Sequence, residues 1–252
     1  MTENDDNLQV PVVVPAAGIG KRMASDIPKQ YLRLNGKTIL EHTVERLLSH
    51  NNISQVILAL HPDDKYFQSL PLAQNPNVKT VIGGDERCDS VLAGLKAVNE
   101  NPDTNNAKAV MVHDAARPCV SLEDISNLIK HYQQTGRGGI LASPVRDTMK
   151  RSNAQQQILH TEARDNLWHA LTPQLFNTVE LISAIERSLK EGAVITDEAS
   201  AMEYCGYAAD VIPARSDNIK ITQPEDLHLA EFILQQQYQT NRNSSKSFNE
   251  KA

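Results

Sequence analysis

The chain has 252 residues, 40% hydrophobic and 22% charged, the balance of a soluble globular protein long enough to bury a sizeable core. Its formal net charge is −6, which argues against a broad basic surface for nucleic acid. Three scattered cysteines suit neither a disulfide framework nor a structural zinc site, and neither a secretory start nor an apolar run of membrane-spanning length is present, so a cytoplasmic protein without membrane contact is expected.

Residues 9–14 form an apolar strand that runs into Pro15-Ala16-Ala17-Gly18-Ile19-Gly20-Lys21-Arg22-Met23, with Pro28-Lys29-Gln30 close behind. A strand ending in Ala-Ala-Gly lets a polyanion reach backbone N–H groups, because no large side chain holds it off. Lys21, Arg22 and Lys29 then supply compensating charge, so the stretch reads as a phosphate-binding loop. It is not a P-loop, since Pro15 stands where the first glycine would be and Arg22 follows Lys21 in place of Ser or Thr. Nor is it a dinucleotide fingerprint, since no third small residue follows Gly20.

Residues 38–49 carry Ile39, Leu40, Val44, Leu47 and Leu48 at helical spacing, with Thr38 and Glu41 in capping-box register. Strands are expected at 55–60 and 78–82, then a helix at 89–99. Between them Gly83-Gly84-Asp85-Glu86-Arg87, with Ser90, admits a flat ligand close to the backbone, although the same residues also suit a plain Gly-Gly turn. A fourth strand at 109–113 leads through Asp114-Ala115-Ala116-Arg117-Pro118 to a helix at 122–134 and a fifth strand at 139–143. Asp114 can accept from ligand hydroxyls or help organise Mg2+, and it can equally cap the next turn and pair with Arg117. His113 has no partner at metal-ligand spacing and is read as a supporting residue.

Strand and helix alternating five times imply an α/β fold, a mostly parallel sheet with helices on both faces and any ligand outside the carboxyl ends of the strands. Segments 144–151 and 157–161 read as a β-hairpin with little core of its own, expected to lean on another subunit. Thr148 lies within this arm and Arg164 just after it. Helices are expected at 173–190 and 197–205, the second opening on Asp197-Glu198 as an ordinary acidic first turn. A strand at 209–213 and a helix at 223–235 follow, and the polar tail, residues 237–252, is expected to be disordered after a single domain of residues 1–236.

The opening loop with Pro28-Lys29-Gln30-Tyr31 resembles the signature of nucleotidyltransferases that join a sugar phosphate to a nucleoside triphosphate. Leu167-Trp168-His169-Ala170-Leu171-Thr172-Pro173-Gln174 and Asn218-Ile219-Lys220-Ile221-Thr222-Gln223-Pro224-Glu225-Asp226-Leu227 narrow the likeness to the 2-C-methyl-D-erythritol 4-phosphate cytidylyltransferases, over about residues 9–235. The resemblance implies a Rossmann-like fold with a dimerisation arm near residues 144–166, a homodimer, and cytidylyl transfer from CTP to 2-C-methyl-D-erythritol 4-phosphate with Mg2+. Arg22 and Lys29 would stabilise charge developing on the phosphates, and the amides of Ala16, Ala17 and Gly18 would cradle the nucleotide. Gly84, Asp85, Arg87 and Ser90 would hold cytosine and ribose, with Ala115 beside them. Asp114, Arg117, Lys220 and, across the dimer, Thr148 and Arg164 would hold the acceptor, while Mg2+ would rest mainly on CTP phosphates with Asp114 as a further ligand. Three other readings share parts of the pattern: a cytidylyltransferase for another polyol phosphate such as ribitol 5-phosphate, a nicotinamide-dependent dehydrogenase, and a non-catalytic nucleotide-binding module. The missing third glycine argues against the dehydrogenase, and the module would leave Lys220 and Arg164 unexplained.

Overall fold

Val10, Val12, Val13 and Val14 are fully enclosed in β1 (Val10–Ala16), as β-branched residues are when both faces of a parallel sheet are covered. The computed structural model describes residues 8–18 and 27–249. After β1 come a small hairpin of β2 (Arg33–Leu34) and β3 (Lys37–Thr38), then α1 (Ile39–Leu48), β4 (Ile53–Leu60), β5 (Val78–Ile82), α2 (Arg87–Glu100), β6 (Ala109–Val112), α3 (Leu122–Thr135) and β7 (Gly139–Pro144). The arm contributes β8 (Lys150–Ser152) and β9 (Ile158–Thr161), followed by β10 (Trp168–Asn177), α4 (Thr178–Lys190), α5 (Glu198–Tyr204), β11 (Asp210–Pro213) and α6 (Glu225–Asn249). Thr38 caps α1 as its spacing predicts: Glu41 N donates to Thr38 Oγ1 at 3.1 Å, and Thr38 N donates to Glu41 Oε2 at 2.7 Å.

Seven strands pair in the order β11-β7-β10-β6-β1-β4-β5. On one face, Val12 and Val14 pack with Leu40 and Val44 of α1 and Ile125 and Leu128 of α3. On the other, Val13 and Ile57 pack with Val91 and Leu95 of α2, Leu181 of α4 and Met202 of α5. The expected layering of helices on both faces is therefore present. The last helix closes a third cluster, in which Ala230, Ile233 and Leu234 meet Leu34 and Ile39.

Two expectations are overturned. Residues 173–177 do not begin a helix; they belong to β10, which runs antiparallel between β6 and β7, and Asn177 caps α4 by accepting from Val179 N and Glu180 N. Leu171 to Phe176 are buried without interruption, which suits a strand enclosed between neighbours. Pro173 is tolerated there because the pairing with β7 shifts register between Ala170 and Gln174, where no ladder N–H is required. The tail is the second correction, since α6 continues to Asn249. No glycine or proline interrupts it, and Gln237 fastens it to the body, donating to Cys119 O and accepting from Arg46, each at 2.9 Å.

Candidate functional site

The carboxyl ends of β1, β5 and β6 surround a cavity of about 550 Å3, walled by residues of the opening loop, of the turn before α2, of the stretch after β6 and of the segment around Lys220. Local anchors shape each wall. Lys29 stands on a single helical turn held at both ends: Gln30 Nε2 donates to Ala16 O at 2.7 Å, and Tyr31 OH donates to Asp64 Oδ2 at 2.6 Å. Its ammonium lies 3.2 Å from Ile221 O, whose own N–H donates to Ala116 O at 2.9 Å. The Gly83-Gly84 turn is forced by contact. A Cβ on Gly83 would lie 2.7 Å from Ala17 Cβ, and one on Gly84 would lie 2.3 Å from Asp89 Cβ. Ser90 Oγ accepts from Gly84 N at 3.1 Å, so this hydroxyl steadies the turn.

Charge converges on Asp114. Arg87 Nε donates to its Oδ1 at 3.1 Å, Lys220 Nζ lies 2.8 Å from Oδ2, and Arg117 Nε is 3.5 Å from Oδ2. Burial alone would raise the Asp114 pKa, yet Arg87, Lys220 and Arg117 together hold the carboxyl well below the usual carboxylate range. The far end of Arg87 is forked onto Glu198, Nη1 to Oε1 at 2.7 Å and Nη2 to Oε2 at 3.2 Å. Burial works against the Arg87 charge, but Glu198 and Asp114 more than offset it and raise its pKa. Three cations against two carboxylates leave this cluster one positive charge, and Lys29 stands on the same cavity wall, which also carries Asp85 and Glu86. Lys29, Arg87 and Lys220 give this wall three cations able to meet phosphate oxygens.

Beneath the cavity lies β10. Asp114 N donates to Thr172 Oγ1 at 3.0 Å, and the same hydroxyl lies 3.1 Å from His113 Nδ1. His113 Nε2 faces Arg117 O at 3.0 Å, and a carbonyl only accepts, so Nε2 carries the proton and Nδ1 accepts from Thr172. Full burial pushes the His113 pKa down to about 4, which keeps this arrangement neutral. Gln174 Oε1 accepts from Ala199 N, and its Nε2 donates to Asp197 Oδ2, each at 2.9 Å, so the same strand also fixes the start of α5.

Of the residues singled out in the sequence, Ala16, Ala17, Gly18, Lys29, Gly84, Asp85, Arg87, Ser90, Asp114, Ala115 and Lys220 line one cavity. Arg117 sits behind Asp114, where its Nη1 donates to Asn218 O at 2.7 Å. Thr148 and Arg164 lie in the exposed arm, off the cavity wall, with Arg164 Nη1 bonded to Arg146 O. Arg22 lies outside the described residues, as does Lys21. Glu198 and Thr172 were not foreseen as part of this site. No local pattern marks them, because their partners Arg87 and Asp114 are 111 and 58 residues away. Among the described residues, no group of three or more His, Cys, Asp or Glu side chains is placed to hold a metal.

A family model for IspD, 2-C-methyl-D-erythritol 4-phosphate cytidylyltransferase, matches residues 10–236. The protein of that name from Photobacterium profundum is 57% identical over 232 residues, which cover 90% of this chain and 97% of the relative. The one from Yersinia pseudotuberculosis serotype I is 52% identical over 237 residues, covering 94% and 96%. Among solved structures, the 2-C-methyl-D-erythritol 4-phosphate cytidylyltransferase of Francisella tularensis superposes with a TM-score of 0.76 at 35% identity, covering 89% of this chain and 99% of the other.

Proposed function

The chain belongs to the 2-C-methyl-D-erythritol 4-phosphate cytidylyltransferase family, and from that premise we infer that it transfers the cytidylyl group of CTP to 2-C-methyl-D-erythritol 4-phosphate. A phosphate oxygen of the acceptor attacks the α-phosphorus of CTP and pyrophosphate leaves. The product, 4-diphosphocytidyl-2-C-methyl-D-erythritol, serves isoprenoid precursor synthesis. The observation that carries the reading is the cavity at the end of β1, whose wall brings Lys29, Arg87 and Lys220 together with the small residues of the opening loop.

Such a transfer needs alignment and charge neutralisation more than covalent participation by the protein. The amides of Ala16, Ala17 and Gly18 receive the triphosphate, Gly84, Asp85 and Ala115 bound the nucleoside, and Ser90 holds the Gly84 turn in shape. Arg87, its guanidinium nitrogens engaged by Glu198 and Asp114, braces the wall in place of a direct hold on the nucleoside. Lys29 neutralises charge growing on the leaving pyrophosphate, and Arg22 joins it by its place in the motif. Lys220, oriented by Asp114, receives the acceptor phosphate, with Arg117 bracing Asp114 from behind. Thr148 and Arg164 complete the acceptor site of a neighbouring subunit in a homodimer. The strongly exposed Ile158 and Leu159 of the arm support that arrangement.

Mg2+ bound with CTP would supply further charge neutralisation at its phosphates. Both oxygens of Asp114 already face cations, which argues against a metal ligand at that side chain. The continuous sheet and shared cores support one domain through residue 236. Among the described residues, no helix is long and apolar enough to cross a membrane. Three unpaired cysteines favour a cytoplasmic setting.

Steady-state pyrophosphate release tests the reading. Lys29→Ala should lower kcat by about a hundredfold or more while the KM for CTP changes less, as on loss of an oxyanion donor. Near-normal turnover would refute the role of Lys29, and equal turnover with ribitol 5-phosphate would overturn the acceptor assignment.

A further inference from the structure

Glu198 is the first residue of α5, where an acidic side chain needs no burial to favour the helix, yet it is 2% exposed. A carboxylate removed from water so completely requires a well-matched partner, and the fork of Arg87 provides one. The consequence falls on Asp114. With both terminal nitrogens engaged by Glu198, Arg87 offers Asp114 only Nε, which bonds Oδ1. Oδ2 takes Lys220 at 2.8 Å, with Arg117 Nε farther off at 3.5 Å. Freed from Glu198, the guanidinium could turn its two-pronged edge onto Asp114, the preferred carboxylate geometry, and compete for Oδ2.

We propose that Glu198 is a positioning residue: by occupying the fork of Arg87 it keeps that fork off Asp114 Oδ2, and so fixes Lys220, the lysine that receives the acceptor phosphate, on this oxygen. The scaffold is built for this. Thr172 holds the main chain of Asp114, and Gln174, two residues along β10, holds the start of the helix that carries Glu198. One strand therefore sets the spacing between the two carboxylates that share Arg87. The inference rests on the reading of Lys220 as the acceptor's anchor.

The experiment compares the full chain with Glu198→Gln, Lys220→Ala and the double variant, with circular dichroism as a check of folding. Glu198→Gln should raise the KM for 2-C-methyl-D-erythritol 4-phosphate about tenfold and leave the KM for CTP within about twofold, a split that general destabilisation would not produce. The double variant should be about as impaired toward the acceptor as Lys220→Ala alone, because no lysine remains to be positioned. An unchanged acceptor KM in folded Glu198→Gln, or additive losses in the double variant, overturns the proposal. An unchanged acceptor KM in Lys220→Ala sinks the reading of Lys220 instead. If Glu198→Gln does not fold, Glu198→Asp gives the readout, since it keeps the charge but withdraws it from the fork. An acceptor KM raised about threefold with CTP unaffected supports the proposal, and no change in either overturns it.

Discussion

Replacing Asp114 by Asn removes one negative charge from a site where three cations converge. The ion cluster then goes from three cations against two carboxylates to three against one, so its net charge rises from +1 to +2. The amide cannot compensate. If its oxygen keeps Arg87 Nε, its NH2 faces Lys220 at the 2.8 Å contact, and the reverse orientation sets NH2 against Arg87. Because Asp114 is nearly buried, screening gives little relief, and removing one member of such a cluster costs about 3–5 kcal/mol. At about 2–4 °C per kcal/mol for a chain of this size, Tm should fall by ~6–20 °C. Differential scanning fluorimetry at pH 7 reads this directly. The pH dependence has a defined sign as well. The folded pKa of Asp114 is depressed, so its stabilisation is complete above the ordinary value near 4 and is lost as pH falls toward the folded value. The gap between the two proteins should persist down to about pH 4 and close only below it. A Tm within about 2 °C of the parent at pH 7 would refute the account of Asp114 as the centre of the charge cluster.

Two further outcomes follow from the same geometry. His113 is pushed down from 6.5 to about 4, so the unfolded chain binds the proton more readily and stability falls as pH drops through 6.5 toward 4, by about 3 kcal/mol. Urea midpoints across that interval should converge between parent and His113→Gln, and parallel curves would count against the buried neutral ring. Gly84→Ala places a Cβ 2.3 Å from Asp89 Cβ, so the turn must shift away from Ser90. The KM for CTP should rise several-fold with little loss of Tm, and an unaltered KM would show that this turn does not shape the nucleotide site.

The parts of the fold written in local sequence were readable. The valines of β1 and the Thr38-Glu41 cap depend on residues within a few positions, and both appear as their pattern predicts. What escaped is governed by distant contacts. Thr172-Pro173 looks like a helix start, and only the neighbours β6 and β7 make it part of an enclosed strand. Glu198 carries an unremarkable helix-start signature, so its burial is decided by Arg87 on another element. The pairing of Asp114 with Arg117 was open in the sequence because the two are three residues apart. The two additional cations on Asp114 come from chain segments 27 and 106 positions away and could be assembled only by the fold.

The reversed direction of β10 also decides where the arm is mounted. Chain leaves β7 at Pro144 and re-enters the sheet at Trp168, and these two residues are paired. Both roots of the arm therefore sit at the carboxyl rim of the parallel strands, the same rim at which the cavity lies. A parallel strand in that place would have sent the chain back across the molecule before it could rejoin the sheet. Because it does not, a force applied to the arm enters the sheet directly at its carboxyl rim, through Pro144 and Trp168.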